Sequence, residues 1–106
     1  MEEKLRIIKL HTQDIKNNPN DSQNHANRGQ VYTQIGDFIN AIMDFDKAIE
    51  LNPVPEYFYL RGMAFERIKQ YDKAAEDFEQ VKKDKSLVKA IQELEPESDF
   101  KPNYQF

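Results

Sequence analysis

The chain has 106 residues, of which 32% are charged, with a formal net charge of −4 at neutral pH and no cysteine. That length holds one domain, and its mixed charge excludes a surface built to neutralise phosphate backbones. Without thiols there are no disulfides, thiolate metal sites or cysteine nucleophiles.

Apolar residues recur at spacings of three and four throughout, which predicts helices and no strands. The first helix covers 3–17 and stops at Asn18-Pro19, because proline has no N–H to donate and its ring clashes with the preceding turn. Asp21 or Ser22 can accept from the free N–H groups that open the next helix, 22–35. Gly36-Asp37 predicts a tight turn into 38–51, and Asn52-Pro53-Val54-Pro55 is the next stop. A fourth helix, 55–68, turns at Lys69-Gln70, which take the place of the glycine turn, into a fifth, 71–83. Asp84-Lys85-Ser86 breaks the chain before a short sixth helix, 86–95, that Pro96 ends. Residues 96–106 remain as a polar tail carrying Phe100, Tyr104 and Phe106; its composition suggests disorder, and the alternative is that one of these rings docks on an apolar surface of its own groove or a neighbour's. The run Lys82, Lys83, Lys85 and Lys89 reads as a solvated helix end. MEEKLRIIKL is amphipathic and acidic at its start, unlike a secretion signal, and no apolar run nears the ~20 residues that span a bilayer. The lack of cysteine is compatible with a reducing compartment, and a cytoplasmic location is expected.

Two segments of the chain repeat. His25, Arg28, Gly29, Tyr32, Ala41, Phe45, Ala48 and Pro53 are followed 33 residues later by Phe58, Arg61, Gly62, Phe65, Ala74, Phe78, Val81 and Ser86. A glycine within a helix costs ~1 kcal/mol relative to alanine, so Gly29 and Gly62 suggest close approach of a neighbouring helix. Small Gly29 and Ala41 would let two antiparallel helices close up, Tyr32 and Phe45 would fill the space beside them, and Ala48 would admit the next hairpin. The order small, aromatic, small, aromatic, stop, together with DFINAIMDFDKAIELNP, resembles the tetratricopeptide repeat.

The resemblance implies an all-α fold of helix-turn-helix repeats stacked as a short right-handed solenoid of about six helices. The domain spans 1–95: a half repeat at 3–17, repeats at 22–54 and 55–85, and a capping helix at 86–95. Residues 3–17 match a second helix whose first helix is missing, with Ile7, His11 and Asp14 at the positions of Ala41, Phe45 and Ala48. His11 and Asp14 are therefore expected to be wet.

The family resemblance also implies a non-catalytic module that binds a protein or peptide in a concave groove. By position, the groove residues are Gln23, Asn27, Gln30, Thr33 and Gln34 from the first copy, and Glu56, Tyr59, Leu60, Met63, Glu66 and Arg67 from the second. A subtype that binds chaperone carboxylate ends uses a Lys and Asn cluster. Here Ala26, Gln30 and Leu60 stand at those positions, so no such clamp is expected. Self-assembly is the second reading: Ile7 and Leu10 point away from the face carrying Leu5, Ile8 and Ile15, and offer a homo-oligomer surface.

No catalytic constellation emerges. His11 and His25 lie on different helices without companions at metal-ligand spacing, and His25 reads as a core or edge residue. Asp44, Asp46, Glu76, Asp77 and Glu79 read as solvated acids on helix surfaces. No enzyme activity, cofactor, metal, nucleic acid or membrane partner is expected.

Overall fold

The computed structural model describes residues 1–84. These form five helices: α1 (Glu2–Asn17), α2 (Ser22–Gln34), α3 (Phe38–Leu51), α4 (Pro55–Arg67) and α5 (Tyr71–Lys82). The expected helix 86–95 and the tail 96–106 lie outside the described residues. The ends of all five helices fall within a residue of those expected from the sequence.

Local chemistry explains the starts and stops. The Asp21 carboxylate accepts from the Gln23 N–H at 3.0 Å and caps α2. Asp37 caps α3 through the Asn40 N–H at 3.2 Å. Pro55 opens α4, where its missing N–H costs nothing. The turn after α2 places Gly36 at φ 81°, and the turn after α4 places Lys69 at φ 63°. The lysine therefore adopts, at a side-chain penalty, the left-handed conformation that glycine takes freely.

Helices α2 and α3 form one hairpin and α4 and α5 another; α3 packs on α4, and α1 on α2. One core cluster joins Ala41, Ile42 and Phe45 of α3 to Ala64 of α4, with Tyr32, Leu60, Phe65 and Ile68 packed against it. A second joins Ala26 and Ala48 to Tyr57. Two alanines thus make room for a ring from the next repeat, as expected for Ala48. The Tyr57 hydroxyl pairs with Ser22 Oγ at 3.1 Å, which ties the two hairpins together across their polar edge.

Gly29 and Gly62 are both buried, but their close neighbours are rings rather than the facing alanines. A Cβ on Gly29 would lie 2.7 Å from Phe45 Cε1, and one on Gly62 would lie 2.7 Å from Phe78 Cε1. Each glycine is the floor on which its repeat's phenylalanine rests.

Expectations for four residues are corrected. Asp44 and Asp77 are 5% and 3% exposed rather than solvated, because each meets an arginine of its own repeat. His11 is half-buried where α1 meets α2, with its Nδ1 lacking a hydrogen-bond partner, whereas Asp14 is exposed as expected. Leu5 is exposed and does not share the inward face of Ile8, because α1 turns Lys4 and Thr12, on either side of Ile8, to hydrogen bonds with α2.

Candidate ligand groove between α2 and α4

Helices α2 and α4 are the first helices of their hairpins and lie side by side. Five of the expected groove residues come together between them. Gln30, Thr33 and Gln34 from the last turns of α2 face Leu60 and Met63 of α4 around a pocket of about 290 Å³. Leu60 is half-buried on the core, while Met63 is 44% exposed and free to meet a ligand. The α4 wall is therefore apolar and the α2 wall polar.

The polar wall has a defined donor and acceptor pattern. Thr33 donates its hydroxyl to the Gly29 carbonyl at 3.0 Å, which leaves its oxygen as an acceptor. Lys4 Nζ of α1 donates to Gln34 Oε1 at 3.1 Å. An ammonium only donates, so this bond fixes which end of the Gln34 amide is engaged and leaves the Nε2 group as a donor.

The other expected residues lie outside the pocket. Asn27 and Gln23, one and two turns nearer the start of α2 than Gln30, bond each other at 2.9 Å. Glu56 is exposed in the first turn of α4. Tyr59 turns toward α5, where its ring lies 6.2 Å from that of Phe78. Glu66 is half-buried at the position equivalent to Thr33. The Arg67 guanidinium stacks over Phe38, 4.9 Å from the ring centroid. On α1, Leu10 is 66% exposed and Ile7 half-buried.

Arg28 of α2 and Arg61 of α4 are engaged with the second helices of their hairpins. Arg28 Nε and Nη2 donate to the two Asp44 oxygens at 2.9 and 2.7 Å, and Nη1 donates to Thr12 Oγ1 at 3.2 Å. Arg61 grips Asp77 with the same two atoms at 2.9 and 2.7 Å, and its Nη1 reaches Asp46 at 2.8 Å. Hydrogen bonding to its aspartate raises the pKa of each guanidinium above its ordinary value, against the opposing effect of burial. Each arginine thus clamps its own hairpin and reaches back to the preceding one: Arg28 to α1, and Arg61 to α3. Reading the acids one by one misses this. The signal is in the repeat, because Arg28 and Arg61 lie 33 residues apart and so do Asp44 and Asp77.

His25 is buried, and its Nε2 lies 2.9 Å from the Pro19 carbonyl, an edge role that fits its reading as structural. Among the described residues no group of His, Cys, Asp and Glu could hold a metal ion, and no helix is long and apolar enough to cross a membrane.

This architecture of paired helices with a small-residue floor and a repeated offset is matched by family models. Residues 24–53 and 55–83 each match a tetratricopeptide repeat model. The chain belongs to the tetratricopeptide repeat family. No curated protein sequence matches it. Among solved structures it is similar to the first TPR of Spaghetti (RPAP3) bound to the HSP90 peptide SRMEEVD, with 23% identity and a TM-score of 0.73 over 92% of this chain and 71% of that one. It is also similar to the MamA protein, with 24% identity and a TM-score of 0.72 over 94% of this chain. The chain spans 52% of MamA. At these identities the likeness is one of fold.

Proposed function

We propose that this tetratricopeptide repeat chain is a non-catalytic protein-interaction module that takes a peptide or partner helix in the groove between α2 and α4. The observation that carries this reading is the pocket in which Leu60 and Met63 face Gln30, Thr33 and Gln34. An apolar anchor site beside a few convergent polar groups is the usual form of a recognition pocket. The Spaghetti repeat domain, alike in fold, was solved with a peptide bound. In this reading the partner is a protein, the location is cytoplasmic and no cofactor takes part.

Affinity capture by the full chain and by Met63→Asp, compared by quantitative mass spectrometry, tests the assignment. Partners lost only from the variant support the groove, whereas partners retained by Met63→Asp place recognition elsewhere.

A second reading rests on α1. No helix among the described residues covers the side of α1 on which Leu10 lies. A second copy could cover it, since symmetric dimers are the commonest assembly. Light scattering then gives a dimer mass that falls to a monomer in Leu10→Asp. A monomer mass for the unsubstituted chain at high concentration removes this reading.

A further inference from the structure

We infer that the groove selects an extended, uncharged peptide segment carrying one leucine- or methionine-sized side chain. This deepens the groove reading above and rests on it. Three observations point to this ligand class.

None of the five lining residues carries a formal charge. The Lys and Arg side chains of α2 and α4 are engaged, Arg28 and Arg61 by buried aspartates and Arg67 over the Phe38 ring, and Lys4 of α1 is bonded to Gln34. A charged ligand group placed against Leu60 and Met63 would lose its hydration without gaining a dedicated counter-ion.

The polar wall matches a free backbone. Gln34 Nε2 and the Gln30 amide can donate, while Thr33 Oγ1 and Gln30 Oε1 can accept. A helix spends its N–H and C=O groups internally along its length, so those side chains would find no backbone partners on it. An extended segment presents both kinds of group. The volume also fits: about 290 Å³ accommodates one large side chain and a short piece of backbone.

Lys4 becomes a positioning residue in this scheme. By holding Gln34 Oε1 it aims the Nε2 donor at the ligand, so the half repeat contributes to the polarity of a groove it does not line.

The test is to pan a random dodecapeptide display library against the full chain and to synthesise the enriched sequences. The expected set shares an uncharged stretch around a single Leu, Met, Ile or Phe. Its binding changes less than about twofold between low and high salt, because no ion pair is screened. It weakens at least ~10-fold in Met63→Asp and about two- to tenfold in Gln34→Leu and Lys4→Glu, with melting temperatures retained. Amide shift mapping on the unsubstituted chain places the peptide on α2 and α4 without relying on any variant.

An enriched set that is acidic or basic at its centre, that binds as a helix, or that ignores Gln34→Leu overturns the ligand class. If that set still weakens in Met63→Asp, the groove itself stands. No enrichment, or shifts away from α2 and α4, overturns both.

Discussion

Arg61 and Asp77 form a two-pronged ion pair, 2.9 and 2.7 Å, at the centre of the second hairpin, and Arg28 and Asp44 repeat it at the same distances in the first. Asp77 is almost wholly buried, while the Arg61 side chain keeps a fifth of its surface in water. The pair therefore lies between the surface case, worth under ~1 kcal/mol, and the buried case, where loss of one partner costs several. Asp77→Ala is expected to destabilise by about 2–3 kcal/mol, because it removes the two-pronged buried partner and leaves Arg61 only the exposed Asp46. Arg61→Lys should also destabilise, since an ammonium cannot reproduce the fork. Chemical denaturation reads both, and a loss below about 0.5 kcal/mol for Asp77→Ala would remove the pair from the stability account.

Gly62 tests the packing of the repeats. Its missing Cβ leaves room for the Phe78 ring, and Gly62→Ala brings a methyl to 2.7 Å from Cε1 and 3.2 Å from the Asp77 Cβ. Overpacking of this kind costs about 1–3 kcal/mol. Gly29→Ala should cost more, because Phe45 is 1% exposed and has less freedom to shift than Phe78. Pairing Gly62→Ala with Phe78→Leu should recover part of the loss. A double-mutant cycle with no coupling would show that the ring is not what the glycine accommodates.

Lys69 carries the opposite prediction. At φ 63° it holds a conformation that costs an L side chain about 1–2 kcal/mol, and the equivalent residue of the first turn is Gly36. Lys69→Gly should therefore raise stability by about 0.5–1 kcal/mol once glycine's greater unfolded freedom is subtracted. Nothing crowds Gly36, so Gly36→Ala should cost only the backbone penalty, about 1 kcal/mol. Midpoints of urea denaturation check both, and a fall in stability for Lys69→Gly would refute the strain at that turn.

The acidic peptide of the similar Spaghetti complex provides a contrast in specificity. Ala26 is buried against Tyr57, and Leu60 helps form an apolar wall, so neither position offers a donor to a carboxylate. Titration of SRMEEVD into the chain should show no saturable binding by calorimetry. Micromolar affinity would mean that cations outside the expected cluster, Lys4 and Arg67 foremost, form a carboxylate site of their own.

The sequence alone determined the class of the fold and the helix order. Proline, asparagine and glycine stops act through local backbone geometry, and three-and-four spacing records which side of each helix is dry, so both can be read without neighbours. The 33-residue offset similarly exposed the repeat, because each copy must present the same small and aromatic residues to its successor. Tertiary structure alone decided how those residues are used. Asp44 and Asp77 look like surface acids until a second helix brings an arginine beside them, since burial of a polar group depends on a partner distant in the chain. Of eleven residues expected in the groove, the pocket gathered five. Tyr59 and Arg67 were drawn off to rings on α5 and α3, because a helix position fixes only the direction in which a side chain leaves, and its contacts depend on what lies there.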